Sequence, residues 1–317
     1  NALFAAYENS SNRSVIRFQE HRLNFQDTDN SVEIKTNRLF RDTSAWYHIV
    51  VRVDTTQGTA SNRVRMYVNG VQETSFSADD YPSKDTDYNI NNDNVHQISR
   101  SVFGSSNYFN GYLAEINFID GLALAASSFG ETKNGIWIPI DTSGLTFGTN
   151  GFRLNFEDNA VDAPESEGTI DTDNIGADSS GEHNNWTSSG IVASDCAMPD
   201  SPENNFCTLN ETANTNAAAL TKGNLLWTGD SGASRRVIGT HAVTSGKWYW
   251  EFKNTTANRM SIGIANLNFN DHHQGNDGGA FANEWVIQTD AKKLHDDNSG
   301  SPDGYGVAIG NGDLGMI

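Results

Sequence analysis

Hydrophobic residues along this chain recur every second position, and the 3.6-residue period of an amphipathic helix is almost absent. Tyr47, Ile49, Val51 and Val53 alternate with Trp46, His48, Val50 and Arg52, which predicts a strand with one fully apolar face. Val64, Met66 and Val68 alternate with Arg63, Arg65 and Tyr67 in a second strand that runs into Asn69-Gly70 and Val71. Asn-Gly between alternating segments favours a type I′ turn, whose two central residues need positive φ, so a hairpin is expected. A third strand is expected over 111–119, with Tyr112, Ala114, Ile116 and Phe118 on one side and Leu113, Glu115, Asn117 and Ile119 on the other. Shorter strand patterns lie at 15–18, 23–25, 32–34 and 152–156. Near the C-terminal end, Trp248, Trp250 and Phe252 share one face of a strand over 247–253, worth about 1.5–3 kcal/mol gross for each ring that is buried. Met260, Ile262 and Ile264 then alternate with the small residues Ser261, Gly263 and Ala265. Many short strands between polar turns make the expected fold class all-β, built as two antiparallel β-sandwiches.

Length and composition refine this picture. At roughly 150 residues per domain, 317 residues predict two domains with a connector. The pattern divides them as a sandwich over 1–158, an extended polar linker over 159–222 rich in Asp, Ser, Asn, Thr and Gly, and a second sandwich over 223–317. Aromatic residues make up 10%, too many for a disordered chain, and no window approaches the ~18 consecutive apolar residues of a membrane span. Lys and Arg number 21 against 40 Asp and Glu, a net charge of −19. Such a surface repels nucleic-acid backbones and anionic lipid, and its dispersed charge suits saline water. Cys196 and Cys207 are the only cysteines, and a disulfide or free thiols both fit their spacing. Residue 1 is Asn, with no start Met, basic segment or apolar segment after it, so the chain reads as a fragment.

Three stretches in order, Ala45-Trp46-Tyr47-His48-Ile49-Val50-Val51, Val64-Arg65-Met66-Tyr67-Val68-Asn69-Gly70 and Phe109-Asn110-Gly111-Tyr112-Leu113-Ala114-Glu115-Ile116, resemble a laminin-G/concanavalin A-like jelly roll. That resemblance implies two curved sheets and carbohydrate or protein binding. Gly246-Lys247-Trp248-Tyr249-Trp250-Glu251-Phe252 with Ser261-Ile262-Gly263-Ile264-Ala265 resembles a SPRY-type sandwich, and Tyr305-Gly306-Val307-Ala308-Ile309-Gly310 resembles its later strand, with Ile317 reached before the strands that should follow. A longer series that includes Phe129-Gly130-Glu131, Gly135-Ile136-Trp137-Ile138-Pro139, Gly148-Thr149-Asn150-Gly151-Phe152, Asn184-Asn185-Trp186-Thr187 and Asp200-Ser201-Pro202-Glu203-Asn204-Asn205-Phe206 is similar to structural proteins of marine bacteriophages, especially tail-fibre and other virion-appendage proteins. Cys207 stands where such series accept a small residue, which implies packing. The resemblance further implies a homo-oligomer, usually a trimer, held with other virion proteins on the exterior of the particle.

Candidate chemistry is sparse. Glycosidases on concanavalin A-like sandwiches set paired carboxylates on one strand as Glu-x-Asp-x-x-Glu, and the nearest match is Glu115-Ile116-Asn117-Phe118-Ile119-Asp120. The middle acid is an amide, and in a regular strand Glu115 and Asp120 would point to opposite faces, so hydrolysis is not expected. Asp27 and Asp29, and Asp85 and Asp87, are acidic loop pairs that could bind structural Ca²⁺ weakly; no other cofactor is implied. Asp171 and Asp173 with Glu182 only partly follow a Ca²⁺ loop, and Asp271-His272-His273 reads as solvated loop rather than a metal site. Trp137 and Trp186 read as anchors, since a Trp in a polar strap can bury about 150–250 Å², or alternatively as sugar-stacking platforms. The loop over 79–94, with Tyr81, Asp85, Asp87 and Tyr88, is a candidate ligand surface, and Trp46, Tyr112, Trp248 and Trp250 are expected in the cores. The expected function is therefore a non-enzymatic phage appendage subunit engaging a bacterial surface glycan or receptor. A capsid decoration or spacer protein is the alternative, and a polysaccharide depolymerase a third.

Overall fold

The computed structural model describes residues 1–101, 107–161, 173–196, 198–214, 219–229, 236–256, 260–265, 284–295 and 308–316. Among them the regular structure is strand, apart from three single-turn 3-10 segments, and the chain is all-β. It divides into two compact units, Asn1–Cys207 and Thr208–Ile317.

The first unit opens with β1 (Ala2–Tyr7), β2 (Arg13–Gln19), β3 (Arg22–Asp27), β4 (Val32–Thr36), β5 (Ile49–Val53), β6 (Val64–Val68), β7 (Val71–Gln72), β8 (Phe76–Asp80) and β9 (Val95–Ile98). A six-stranded sheet runs in the order β8-β4-β3-β2-β1-β9, and β5, β6 and β7 form a three-stranded sheet. Leu23, Phe25, Val32 and Ile34 of the larger sheet meet Val64 and Met66 of the smaller one, with Ile16, Phe18, Ile49, Val51 and Phe76 packed around them. All six central side chains are essentially inaccessible, and together they contribute of order 10 kcal/mol of gross apolar burial. The other face of the large sheet carries a small apolar cluster of Ala2, Ala5 and Val15 beside a polar network. Arg17 donates to Asn24 and Gln26, Asn24 donates to Glu33, and Lys35 pairs with Glu33 at 3.3 Å. The β6–β7 connection is the expected two-residue turn: Asn69 and Gly70 both have positive φ, 49° and 75°, and Val68 faces Val71.

The rest of the unit contains β10 (Ile116–Phe118), β11 (Gly130–Lys133), β12 (Ile136–Pro139) and β13 (Phe152–Leu154), paired as β10-β13 and β11-β12. The strand expected over 111–119 is shorter than its pattern. Glu115 takes a φ of 49°, which turns the chain out of extended geometry and leaves Ile116–Phe118 to pair with β13. Phe118 and Phe152 stack at 5.4 Å, and both lie against Phe4 of β1.

Much of the segment expected to be an extended linker folds back onto this sandwich. Asp178, itself buried, accepts the Arg153, Ser180 and Asn184 backbone N–H groups. The Asn184 amide donates to the Thr149 and Gly151 carbonyls, which delivers Trp186 onto Phe152 at 4.9 Å and Phe4 at 6.1 Å. Asn-Asn-Trp is thus a docking device: two amides tie down the strap and the indole seals the Phe cluster. Neither cysteine is in a disulfide; Cys196 is buried, while Cys207 is exposed rather than packed as its resemblance implied.

In the second unit β14 (Leu209–Asn214) pairs with β17 (Val237–Gly239), β15 (Ala219–Thr221) with β16 (Leu226–Thr228), and β18 (Glu251–Lys253) with β22 (Leu314–Met316). A three-stranded sheet joins β19 (Ser261–Ala265), β20 (Glu284–Gln288) and β21 (Lys292–His295). The strand expected from residue 247 begins only at Glu251, the first residue with a ladder partner. Trp248 lies outside that ladder, folds back to donate to the Ser245 carbonyl and is 63% exposed, so it is not a core residue. Trp250 is half-buried beside Phe252. The resemblance at residues 305–307 lies outside the described residues.

Candidate functional site

Because Ile49, Val51, Val64 and Met66 face the core, alternation puts Val50, Arg52, Arg65 and Tyr67 on the opposite face of β5 and β6. His48 extends this row. Its N–H donates to Asn69 Oδ1 and its carbonyl accepts the Asn69 N–H, both at 2.8 Å. Val50 stands opposite Tyr67 and Arg52 opposite Arg65, forming a half-buried strip.

Trp137 of β12 closes the turn end of the strip. Its ring lies so close to Gly70 that a Cβ there would fall 2.3 Å from Cζ3, and its centroid is 5.7 Å from that of His48. Gly130, diagonal to Trp137 across the β11–β12 pair, is filled by the same indole, with a Cβ position 2.6 Å from Nε1. The Asn-Gly turn and the Gly-Ile-Trp-Ile-Pro hairpin, 67 positions apart at Gly70 and Trp137, are two halves of one contact.

Four buried polar atoms along this strip have no hydrogen-bond partner: His48 Nδ1, Arg52 Nε, Arg65 Nε and Trp137 Nε1, out of seven such side-chain atoms among the described residues. Folded chains rarely leave such groups unmet, so this face of β5 and β6 carries an unrelieved desolvation cost. Burial holds the His48 imidazole below its ordinary pKa, which keeps it neutral at pH 7. Arg63, two residues before Arg65, makes the contrast: its fork is filled by the carbonyls of Gln57, Gly58 and Pro82, so it braces loops.

Comparison with known families adds the fold's identity. Residues 1–127 match the concanavalin A-like lectin/glucanases superfamily. No curated protein and no solved structure matches the chain. The match covers every strip residue except Trp137, which arrives from beyond it.

The residues singled out from sequence occupy different places in and around this concanavalin A-like domain. Tyr81 and Tyr88 pack against its core, Tyr88 edge-on to Phe25 at 5.4 Å, so the 79–94 loop turns both rings inward instead of offering them to a ligand. Burial and the nearby Asp27 carboxylate raise the Tyr88 pKa strongly. Asp85 and Asp87 remain exposed. Asp27 is fully buried and its oxygens accept from Ser14, Asn30 and Asn89, whereas Asp29 is exposed, so the pair does not converge on a cation. Among the described residues no group of three or more His, Cys, Asp or Glu side chains could hold a metal ion, and Asp171 and Asp271-His272-His273 lie outside those residues. Trp46 and Tyr112 form a peripheral stacked pair at 6.3 Å, with the Trp46 indole donating to Asp200. Trp186 is part of the Phe4, Phe118 and Phe152 cluster.

The acid pair weighed for hydrolysis is held by other groups. Glu115 takes the Arg153 fork through both oxygens, at 2.8 and 3.3 Å, with Thr142 at the same site. Asp120 accepts the Asn91 amide at 2.7 Å and the Asn150 N–H at 3.2 Å. The opposite-face argument from a continuous strand does not apply, because Glu115 is outside the ladder; the ion pair with Arg153 is what occupies this acid.

Proposed function

We propose that this chain is a subunit of a phage virion appendage of the tail-fibre type, which holds a bacterial surface glycan without cleaving it. The observation that supports this reading is the strip over β5 and β6 of a concanavalin A-like domain, where Trp137 stands beside His48 at one end and the Tyr67 ring lies next to the facing Arg52 and Arg65. Sugars ask for this combination: rings to lie on, and donors for their oxygens. Binding without hydrolysis is supported by the two acids, since Glu115 is bonded to Arg153 and Asp120 to two amide groups. In this reading the second unit is a SPRY-type module, the assembly is a trimer on the exterior of the particle, and the fibre base rests on other virion proteins. Three strips on one fibre gain about 10²–10⁴ in avidity over a single one.

The test is attachment of the purified full chain to host cells before and after periodate oxidation of their surface glycans, together with labelling of the chain in a virion reconstruction. The reading expects attachment that oxidation abolishes, and label on an external fibre. Blank attachment with label on the capsid shell makes the chain a spacer, and release of reducing ends from host polysaccharide makes it a depolymerase.

A further inference from the structure

We propose that the side chains of Lys35 and Asn24 join in an intramolecular isopeptide bond that fastens β4 to β3, with Glu33 carrying the protons and Arg17 polarising the amide. The bond is independent of the glycan reading and stands or falls without it.

Ile16, Leu23, Phe25 and Ile34 face the core, so alternation puts Arg17 of β2, Asn24 of β3, and Glu33 and Lys35 of β4 together on the opposite face of the large sheet. Asn24 and Lys35 are register partners, directly across from each other on adjacent strands. Side chains so placed start about 4.5–5.5 Å apart at Cβ, well within the span of a four-carbon lysine stem. Asn24 is fully buried, and the side chains of Lys35 and Glu33 are only 17% and 30% exposed.

One carboxylate oxygen organises the pair. Glu33 Oε1 accepts from the Asn24 amide nitrogen at 3.1 Å and lies 3.3 Å from Lys35 Nζ. At the other end of the same amide, Arg17 Nε donates to Asn24 Oδ1 at 3.1 Å. An ion pair alone needs only Lys35 and Glu33. Here the amide adds an acyl carbon beside the amine, a guanidinium on the oxygen that must gain charge, and a proton carrier against the nitrogen that must leave.

The step balances within these groups. Glu33 takes a proton from the Lys35 ammonium, which frees the lone pair. Nζ then bonds to Cγ of Asn24 while Arg17 holds the developing oxyanion. The Cγ–Nδ2 bond breaks as protonated Glu33 returns its proton to Nδ2. The two protons that Nζ gives up overall depart with Nδ2 as ammonium, Glu33 ends as a carboxylate again, and nothing is oxidised or reduced. An amine in free solution does not displace ammonia from an amide unaided; the sheet supplies the orientation that makes the exchange feasible, and loss of ammonia makes it one-way.

The test is the intact mass of the purified full chain, followed by peptide mapping. The predominant species should be lighter than its sequence by one ammonia. Trypsin should leave Lys35 uncut, giving a 23–38 peptide in place of 23–35, and cleavage of that peptide at Asp27 or Asp29 should leave two pieces still joined. Lys35→Arg, which keeps the ion pair and removes the nucleophile, should show the mass of its sequence, and so should Glu33→Gln. A native chain at the mass of its sequence, or an ammonia loss that maps elsewhere with Lys35 cut normally, overturns the proposal. A joined peptide in Glu33→Gln overturns the proton path through Glu33. Should either variant fail to fold, the native mass and map decide by themselves.

Discussion

Gly70 and Trp137 give the sharpest energetic handle on the architecture behind the strip. Replacing Gly70 with Ala puts a Cβ at a φ of 75°, a left-handed position that costs a side chain about 1–2 kcal/mol. The same Cβ would stand 2.3, 2.4 and 2.7 Å from three carbons of the Trp137 ring, distances that the ring must yield. A fully buried Trp is worth about 3–5 kcal/mol on truncation, and Trp137 is only half-buried, so its displacement loses about 2 kcal/mol. Gly70→Ala should therefore destabilise the first unit by about 3–4 kcal/mol in the native background and by only about 1–2 kcal/mol once Trp137→Ala is present. Chemical denaturation of the four proteins of this cycle, followed by circular dichroism, measures the difference. Additivity within about 0.5 kcal/mol would mean that turn and hairpin do not touch, and would refute the closed end of the strip.

The protonation of buried histidines predicts a second behaviour. Burial lowers the pKa of both His48 and His96 in the folded chain, so the unfolded chain binds more protons as pH falls below about 6.5; stability is fully present above that value and declines beneath it. His48→Gln should flatten part of the decline seen in melting temperature against pH, and an unchanged profile would contradict its burial. Trp186→Ala opens the Phe4, Phe118 and Phe152 cluster and should cost about 2–4 kcal/mol, read as faster proteolysis of the strap over 173–190. Glu115→Gln leaves Arg153 with only the more distant Asp141 carboxylate at 3.9 Å and should cost about 1 kcal/mol of stability with no effect on glycan binding; lost sugar binding or a lost hydrolytic activity would return Glu115 to a functional role.

What could be read ahead of the structure follows from how many faces of each strand are covered. β2, β3, β4, β5 and β6 each set apolar side chains toward the core, and alternation exposed them. β1 escaped because its Ala-Leu-Phe-Ala-Ala-Tyr has no alternation: Ala5 packs with Val15 on one side while Phe4 meets Phe118 on the other. β9, Val-His-Gln-Ile, is an edge strand whose polar residues hid it. At the site, His48, Arg52, Arg65 and Tyr67 were legible as the polar face of two strands. The arrival of Trp137 was not, because nothing local ties residue 137 to residue 70 except the glycine that makes room for it. Tyr81 and Tyr88 misled for the converse reason: a polar, turn-rich loop gives no local sign that its aromatics are directed into the core.

Hydrogen–deuterium exchange of the full chain with and without a bound surface glycan tests the central claim most directly. The account predicts slower exchange over residues 48–52, 65–69 and 136–138, the strip and the hairpin that closes it. Slowing confined to the 79–94 loop, with the strip unchanged, would contradict it.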